Sequence, residues 1–432
     1  MSSRLSTLHA VQVTRAPAVA GLVLLAGMAA PQGGTAQAVG LEFAAQAIPS
    51  WTRQDPAPGS RALDEFRVVQ PMAMIRLHAL GGRLRFVGTL DLEGWTMDGG
   101  ELTLGAWGEG FNDRRHPHTY AHELVLSGVD LLGRHDGRGV LSVGVGKGFV
   151  PFGSDDPMSR PAFKYPVNHH LSQILERAVA MAGYRLGPVL IEAAVFNGDE
   201  PERPGQWPLI RQGDTWRFGD SRAGRLTLLP IAGVELSLSR ARVKSPEHRP
   251  GAGTNQEKWH AATRVERRRG ASRIYALAEW ARTTEADGFF EFTSLLAEGE
   301  WRWRSQRVWY RFERTDRPED QRTLDPFRSV RPHLENSILG TTRWRIHTMG
   351  YGLELRPWSG ELVLEPFAEL AIGAARPRGG GLFDPELFYG RSAFTSISLG
   401  VRLAWRLDGH RMGRYGGLLE SGGPFAPHSH GS

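Results

Sequence analysis

The chain contains no cysteine, so no disulfide and no thiolate contributes to its stability or chemistry. Lysine is nearly as scarce: Lys147, Lys164, Lys244 and Lys258 are the only ones, and the net charge of +6 is carried by arginine. No stretch reaches the roughly 20 apolar residues of a spanning helix. A membrane-embedded form of this chain would therefore have to be a closed barrel. No period of repetition marks a propeller or solenoid. Neither a G-x-S-x-G element nor a zinc-protease motif occurs, so no enzyme is expected and no cofactor is implied. The small charge excess, without a binding motif, argues against nucleic acid as a partner.

The residues that are present fit export. Arg4 and Arg15 precede an apolar run, 18–30, and no acid occurs before Glu42. Ala36-Gln37-Ala38 supplies the small-x-small pattern of a signal-peptidase site, so residues 1–38 read as a signal peptide and the mature chain as starting at Val39.

The segment Thr395–Leu407 alternates most clearly. Ile397, Leu399, Val401, Leu403, Trp405 and Leu407 share one parity; Ser396, Ser398, Gly400, Arg402 and Arg406 share the other. Successive strand residues point to opposite faces. A strand tilted across a bilayer needs about 9–11 residues, apolar toward lipid and polar toward a lumen. Sixteen such segments can be marked after Val39: 41–48, 67–79, 83–93, 120–131, 138–147, 174–186, 189–197, 222–229, 233–243, 257–268, 272–283, 289–303, 306–315, 341–356, 361–373 and 395–407. The first loop is placed at 49–66. Connections alternate long and short, as external loops and periplasmic turns do, with 284–288 the short external exception. Trp259, Trp280, Trp301, Trp303, Trp309, Trp344, Tyr351, Trp358 and Trp405 lie near strand ends, where interfacial girdles sit. The expected fold is all-β: a transmembrane antiparallel up-and-down barrel of about 16 strands over 39–408, in the outer membrane and in contact with its lipid. Residues 409–432 read as a flexible His/Gly-rich tail, with a plug in the barrel mouth as the alternative.

Charge on the lipid face at mid-membrane costs about 2–4 kcal/mol for arginine, so mid-strand charges are expected inside. Parity gives a pore-lining set of Arg76, Arg83, Arg85, Asp91, Glu192, Glu235, Arg307, Arg311, Glu365, Glu369, Arg402 and Arg406, with His78 and Glu313. Guanidinium groups there either favour anions or pair with carboxylates and stiffen the wall; sequence leaves both open. The loop 148–173 is long, carries Pro151, Pro157, Pro161 and Pro166, and holds Asp155, Asp156, Arg160 and Lys164. It either folds inward as a constriction or caps the outside.

Gly146-Lys147-x-Phe149-x-Pro151-Phe152-Gly153, closing a strand and opening that loop, resembles the phosphate-selective (O/P-type) porins of the outer membrane. The resemblance implies a sixteen-strand barrel that passes small anions, and such proteins are often homotrimers. Two departures stand out: the chain continues past the last strand, and lysine is scarce. The expected function is passive diffusion of small hydrophilic solutes, favouring anions. The alternative is a metal-binding or ligand-binding outer-membrane barrel using His116-Pro-His118-Thr-Tyr-Ala-His122-Glu123 and the external loops. On a strand, His116, His118 and His122 would share a face and could ligate one divalent metal. Asp155, Asp156, His169 and His170 supply titratable groups, without a pattern that assigns catalytic roles.

Overall fold

The computed structural model describes residues 39–57, 61–97, 118–132, 139–201, 203–244, 254–319, 340–357, 361–379, 384–406 and 411–415. Residues 1–38, expected from sequence to be a signal peptide, His116 and the tail beyond Tyr415 lie outside these residues. Sixteen strands form one closed antiparallel barrel. They are β1 Gly40–Ala57, β2 Arg61–Ala79, β3 Leu84–Asp91, β4 Ala121–Gly128, β5 Val140–Gly148, β6 Arg177–Leu186, β7 Val189–Phe196 and β8 Ser221–Leu228. The others are β9 Val234–Val243, β10 Gln256–Arg269, β11 Ser272–Glu285, β12 Phe290–Trp303, β13 Gln306–Glu319, β14 Gly340–Leu353, β15 Leu362–Pro377 and β16 Ala393–Trp405. Each strand pairs with the next, and β16 closes on β1 from Ala45↔Trp405 to Asp55↔Thr395.

Alternation decides which face is which. On β16, Ile397 and Leu399 are exposed on the outside, while Ser396 and Ser398 are fully buried within. The same inversion of a soluble core recurs around the wall. Val143, Val145, Ile191, Leu226, Leu238 and Leu295 point outward, whereas Glu192, Arg225, Glu235, Ser239, Glu279 and Glu298 are buried inward. An apolar outside with a polar inside is the pattern of a bilayer-spanning barrel.

One sequence expectation is corrected. Residues 49–66 are not a loop: β1 runs to Ala57 and β2 begins at Arg61. Ser50, Thr52 and Gln54 are buried inward, and Arg53 pairs outward with Asp64 at 3.2 Å. Both faces are polar there, so the strand loses the apolar parity by which strands were recognised. The first external connection is thus as short as the one after β11.

The barrel wall is uneven. β3–β8 are 8–10 residues long, and β10–β16 are 13–16. The chain between β5 and β6 enters the barrel. Its Phe149, Met158, Phe163 and Tyr165 join inward wall residues Ile48, Val69, Met72, Val125, Trp309 and Phe367 in one apolar cluster.

Candidate functional site

The site is the lumen, and the β5–β6 loop is its floor. Glycine makes the inward turn: Gly153 has φ +76°, and a Cβ there would lie 1.7 Å from the Ser172 carbonyl oxygen. Gly153 N donates to Ser239 Oγ at 3.0 Å on β9. Asp156 caps the following 3-10 turn by accepting from Met158 N at 2.7 Å.

Wall carboxylates then receive the loop. Arg160 places Nη1 3.1 Å from Glu279 Oε1 on β11, while its Nε donates to the Asp155 carbonyl at 2.9 Å. Glu279 also accepts from Asn168 Nδ2 at 2.9 Å and faces His260 Nε2 at 3.2 Å. On β15, Glu369 accepts the backbone N–H groups of Phe163 at 2.7 Å and Lys164 at 2.9 Å. Glu313 on β13 accepts that of Val167 at 2.7 Å. Two wall arginines donate back: Arg307 to the Pro161 carbonyl at 3.0 Å, and Arg311 to that of Lys164 at 2.6 Å. Folding a loop into a lumen strips its peptide groups of water, and these side chains supply the partners that buried backbone requires. Of the two poses left open by sequence, the structure takes the inward one, and Asp155, Asp156, Arg160 and Lys164 are all buried.

A second segment meets the loop from beyond β16. Arg411 brackets Asp155 (2.7 Å) and Glu235 (3.0 Å), and Arg414 contacts the same two carboxylates at 3.0 and 3.2 Å. Met412 N donates to Ser159 Oγ at 3.1 Å and Gly413 N to Glu123 Oε1 at 3.2 Å. Tyr415 donates its hydroxyl to Glu123 at 2.6 Å and accepts from Phe149 N at 3.2 Å. Residues 411–415 therefore sit inside the barrel, against the constriction loop.

Burial alone would raise the Asp155 carboxyl, but Arg411, Arg264 and Arg414 outweigh it and hold it well below the usual carboxylate range. A carboxylate depressed by folding stabilises above its unfolded value and ceases to do so as pH falls through its folded value. The Asp155–Arg411–Arg414 cluster, facing Glu235 and Arg264, should therefore stay intact through the ordinary aspartate range near about 4. It should loosen only in stronger acid. Limited proteolysis on lowering the pH from neutral checks this: residues 411–415 should stay protected below that range, and cleavage there already at pH 5–6 would contradict it.

The remaining lining residues fall into groups. Asp91, Glu192, Glu235, Arg307, Arg311, Glu365 and Glu369 are buried on the inner face, as is Glu313. Glu192 pairs with Arg225 at 2.7 Å, Arg307 joins Glu300 and Glu365, and Arg311 binds Glu298 at 2.8 Å. Much of the lumen arginine thus forms a salt-bridged wall. Arg76 and Arg85 are half-buried on β2 and β3, with His78 beside Glu42 at 3.7 Å. Arg402 stands opposite Glu365 in the β15–β16 register. Arg83 and Arg406 depart from the expected wall positions. Arg83 lies in the β2–β3 turn, and Arg406 follows β16 and pairs with Glu361; both are exposed at that end of the barrel.

His118 and His122 do not share a strand face. His118 precedes β4, which starts at Ala121. Its Nδ1 lies 3.0 Å from Glu93 Oε2, whereas His122 Nδ1 is 2.8 Å from Glu176 Oε1. The two rings meet edge to face at 4.8 Å. Ligand atoms of Asp91, Glu93 and His118 lie within 4.8 Å of one another, an arrangement that the His118 ion pair accounts for by itself.

Sequence reasoning missed Arg225, Arg264, Glu279 and Glu298 on the wall and took Glu123 only as a neighbour of the histidines, although strand parity marks each of them. It had no periodic signal for Arg411, Arg414 or Tyr415.

Comparison with known proteins gives likeness in shape alone. No protein-family model matches the chain, and no curated protein matches it. Among solved structures, the anion-selective porin from Comamonas acidovorans is similar at 13% identity and a TM-score of 0.48, covering 85% of this chain and 100% of that one. OmpT of Vibrio cholerae, an outer membrane protein in its trimer form, is similar at 9% identity and a TM-score of 0.48, over 85% and 100% of the two chains. The outer membrane channel DcaP of Acinetobacter baumannii is similar at 9% and 0.47, over 86% and 99%.

Proposed function

We propose that this chain is an outer-membrane, porin-like channel for passive diffusion of small hydrophilic solutes, with a preference for anions. The observation that carries the reading is the closed barrel with an apolar outside, a polar inside and a loop hydrogen-bonded across its lumen. A polar interior of this kind lines a path for solutes or holds a plug in the outer-membrane barrels that conduct. The plug here is the chain's own: the β5–β6 loop and residues 411–415 narrow the same section of lumen. The conformation described is thus a constricted one.

Anion preference rests on two lumen guanidiniums that close no salt bridge among the described residues, although Arg76 stands opposite Glu42 and Arg402 opposite Glu365 in register. Arg76 and Arg402 flank β1 on its two neighbouring strands, and neither enters an ion pair among the described residues. Charged rings of this kind set the sign of permeant ions. Planar-bilayer recordings of the refolded protein under a salt gradient test the proposal. Stable channels with an anion-favouring reversal potential are expected, and Arg76→Gln with Arg402→Gln should move that potential toward neutrality. Heat-modifiable, correctly inserted protein that never conducts, even without its C-terminal segment, would remove the channel reading. Block by micromolar zinc would instead favour a metal site around His118 and His122.

A further inference from the structure

On the outer wall, β5–β9 present an unusual surface. In register, Ala180 stands beside Val195, and Ala182 beside Ala193. Ala193 in turn faces Gly224, and Val195 faces Arg222. These small residues leave a groove of about 880 Å³ on the face where the rest of the wall carries large apolar side chains.

At the external ends of β8 and β9 the groove meets arginine. Arg222 and Arg242 are direct cross-strand partners, and both are exposed on the outside. Directly opposed residues hold their Cβ atoms about 4.5–5.5 Å apart, and like charges there repel. Neither residue enters an ion pair among the described residues. Arg240, one outward step below, is already engaged: it pairs with Glu257 at 3.3 Å and lies over the Trp259 ring at 4.7 Å. Glu257 stands opposite Arg242 in register, but its carboxylate is the one Arg240 holds, so Arg222 and Arg242 present two forks above an apolar trough that one anion can bridge.

We infer that this face holds a phosphate-bearing lipid, its headgroup bridging Arg222 and Arg242 and an acyl chain lying in the small-residue groove. The inference rests on the membrane-barrel reading. A phosphate fits because its oxygens can accept from both guanidinium forks at once. The groove supplies the second half of the match, since a chain seated there fills a hollow that straight-walled strands do not offer. A second outward pair, Arg314 and Arg345, is likewise cross-strand. It is bordered by the bulky Leu295, Phe312 and His347, and so provides an internal control.

Native mass spectrometry of the full chain with phosphatidic acid as probe, and phosphatidylcholine as competitor, tests the assignment. Wild type should retain phosphatidic acid, and Arg222→Gln with Arg242→Gln should lower retention about tenfold, as loss of charge-assisted hydrogen bonds predicts. Ala193→Phe fills the groove with the charges intact and should also lower retention. Arg314→Gln with Arg345→Gln should leave it unchanged. Equal losses from both arginine pairs, or no loss from Ala193→Phe, would overturn the groove assignment. Vesicle insertion and heat-modifiable migration are read on the same samples. Inserted barrel that retains no phosphatidic acid overturns the lipid site alone, whereas a chain that never inserts overturns the membrane reading with it.

Discussion

Truncating the chain after Asp408 should shift the proposed channel from largely closed toward a wider, still constricted opening. The segment 411–415 contributes two guanidiniums to Asp155 and Glu235, a phenol to Glu123, and backbone bonds to Ser159 and Glu123. Hydrogen bonds to charged groups contribute about 1.5–3 kcal/mol each, and every 1.4 kcal/mol is about tenfold in an equilibrium. Losing the segment should therefore raise the open population by at least about tenfold, seen as longer and more frequent openings in single-channel records. Arg411→Ala with Arg414→Ala should reproduce most of the effect while keeping the chain length. The loop itself should stay in place, because Gly153, Phe163, Lys164 and Val167 are bound to the wall independently of the tail. The expected result is thus a wider but still constricted pore. If open probability and conductance are the same with and without the segment, the tail is not a gate.

The contrast between the wall and the tail shows what sequence could reveal here. Strand parity identifies the barrel because lipid imposes the same demand on every strand: Ile397 and Leu399 out, Ser396 and Ser398 in. It works for Glu192, Glu235 and Arg311 for the same reason. It fails at 49–57, where the strand carries polar residues on both faces and no apolar parity marks it. It fails differently for Arg411 and Arg414. Their position depends on carboxylates more than 170 residues away, on β9 and on the β5–β6 loop, and no local pattern records that. The GHRMGRYGG composition favours flexibility when read alone. Only the acidic partners, Asp155 and Glu235, give it a fixed place. The inward pose of the loop is a similar case, since its decisive partners, Glu279, Glu313 and Glu369, are scattered over three strands.

Arg160→Ala should disturb the constriction more than any other single change in the loop. Arg160 is fully buried; it binds Glu279 and the Asp155 carbonyl, and its Nε lies 3.9 Å from Glu298. Removing one partner of a buried ion pair costs about 3–5 kcal/mol, because the charge left behind has no water to replace it. Here two carboxylates are left behind. His260 and Asn168 still contact Glu279, and Arg311 still contacts Glu298. Even so, the local excess becomes negative in the section of lumen that the proposed path would use. Two readouts should therefore move together: the temperature at which heat-modifiable migration is lost should fall, and the reversal potential should shift toward cations. Arg160→Lys separates charge from geometry. It keeps the positive charge but cannot span Glu279 and the loop carbonyl with one planar fork. It should restore the reversal potential more fully than the thermal stability. A potential unmoved by Arg160→Ala would mean that permeating ions do not pass this section, and that the path runs on the other side of the loop, along Arg76 and Arg402.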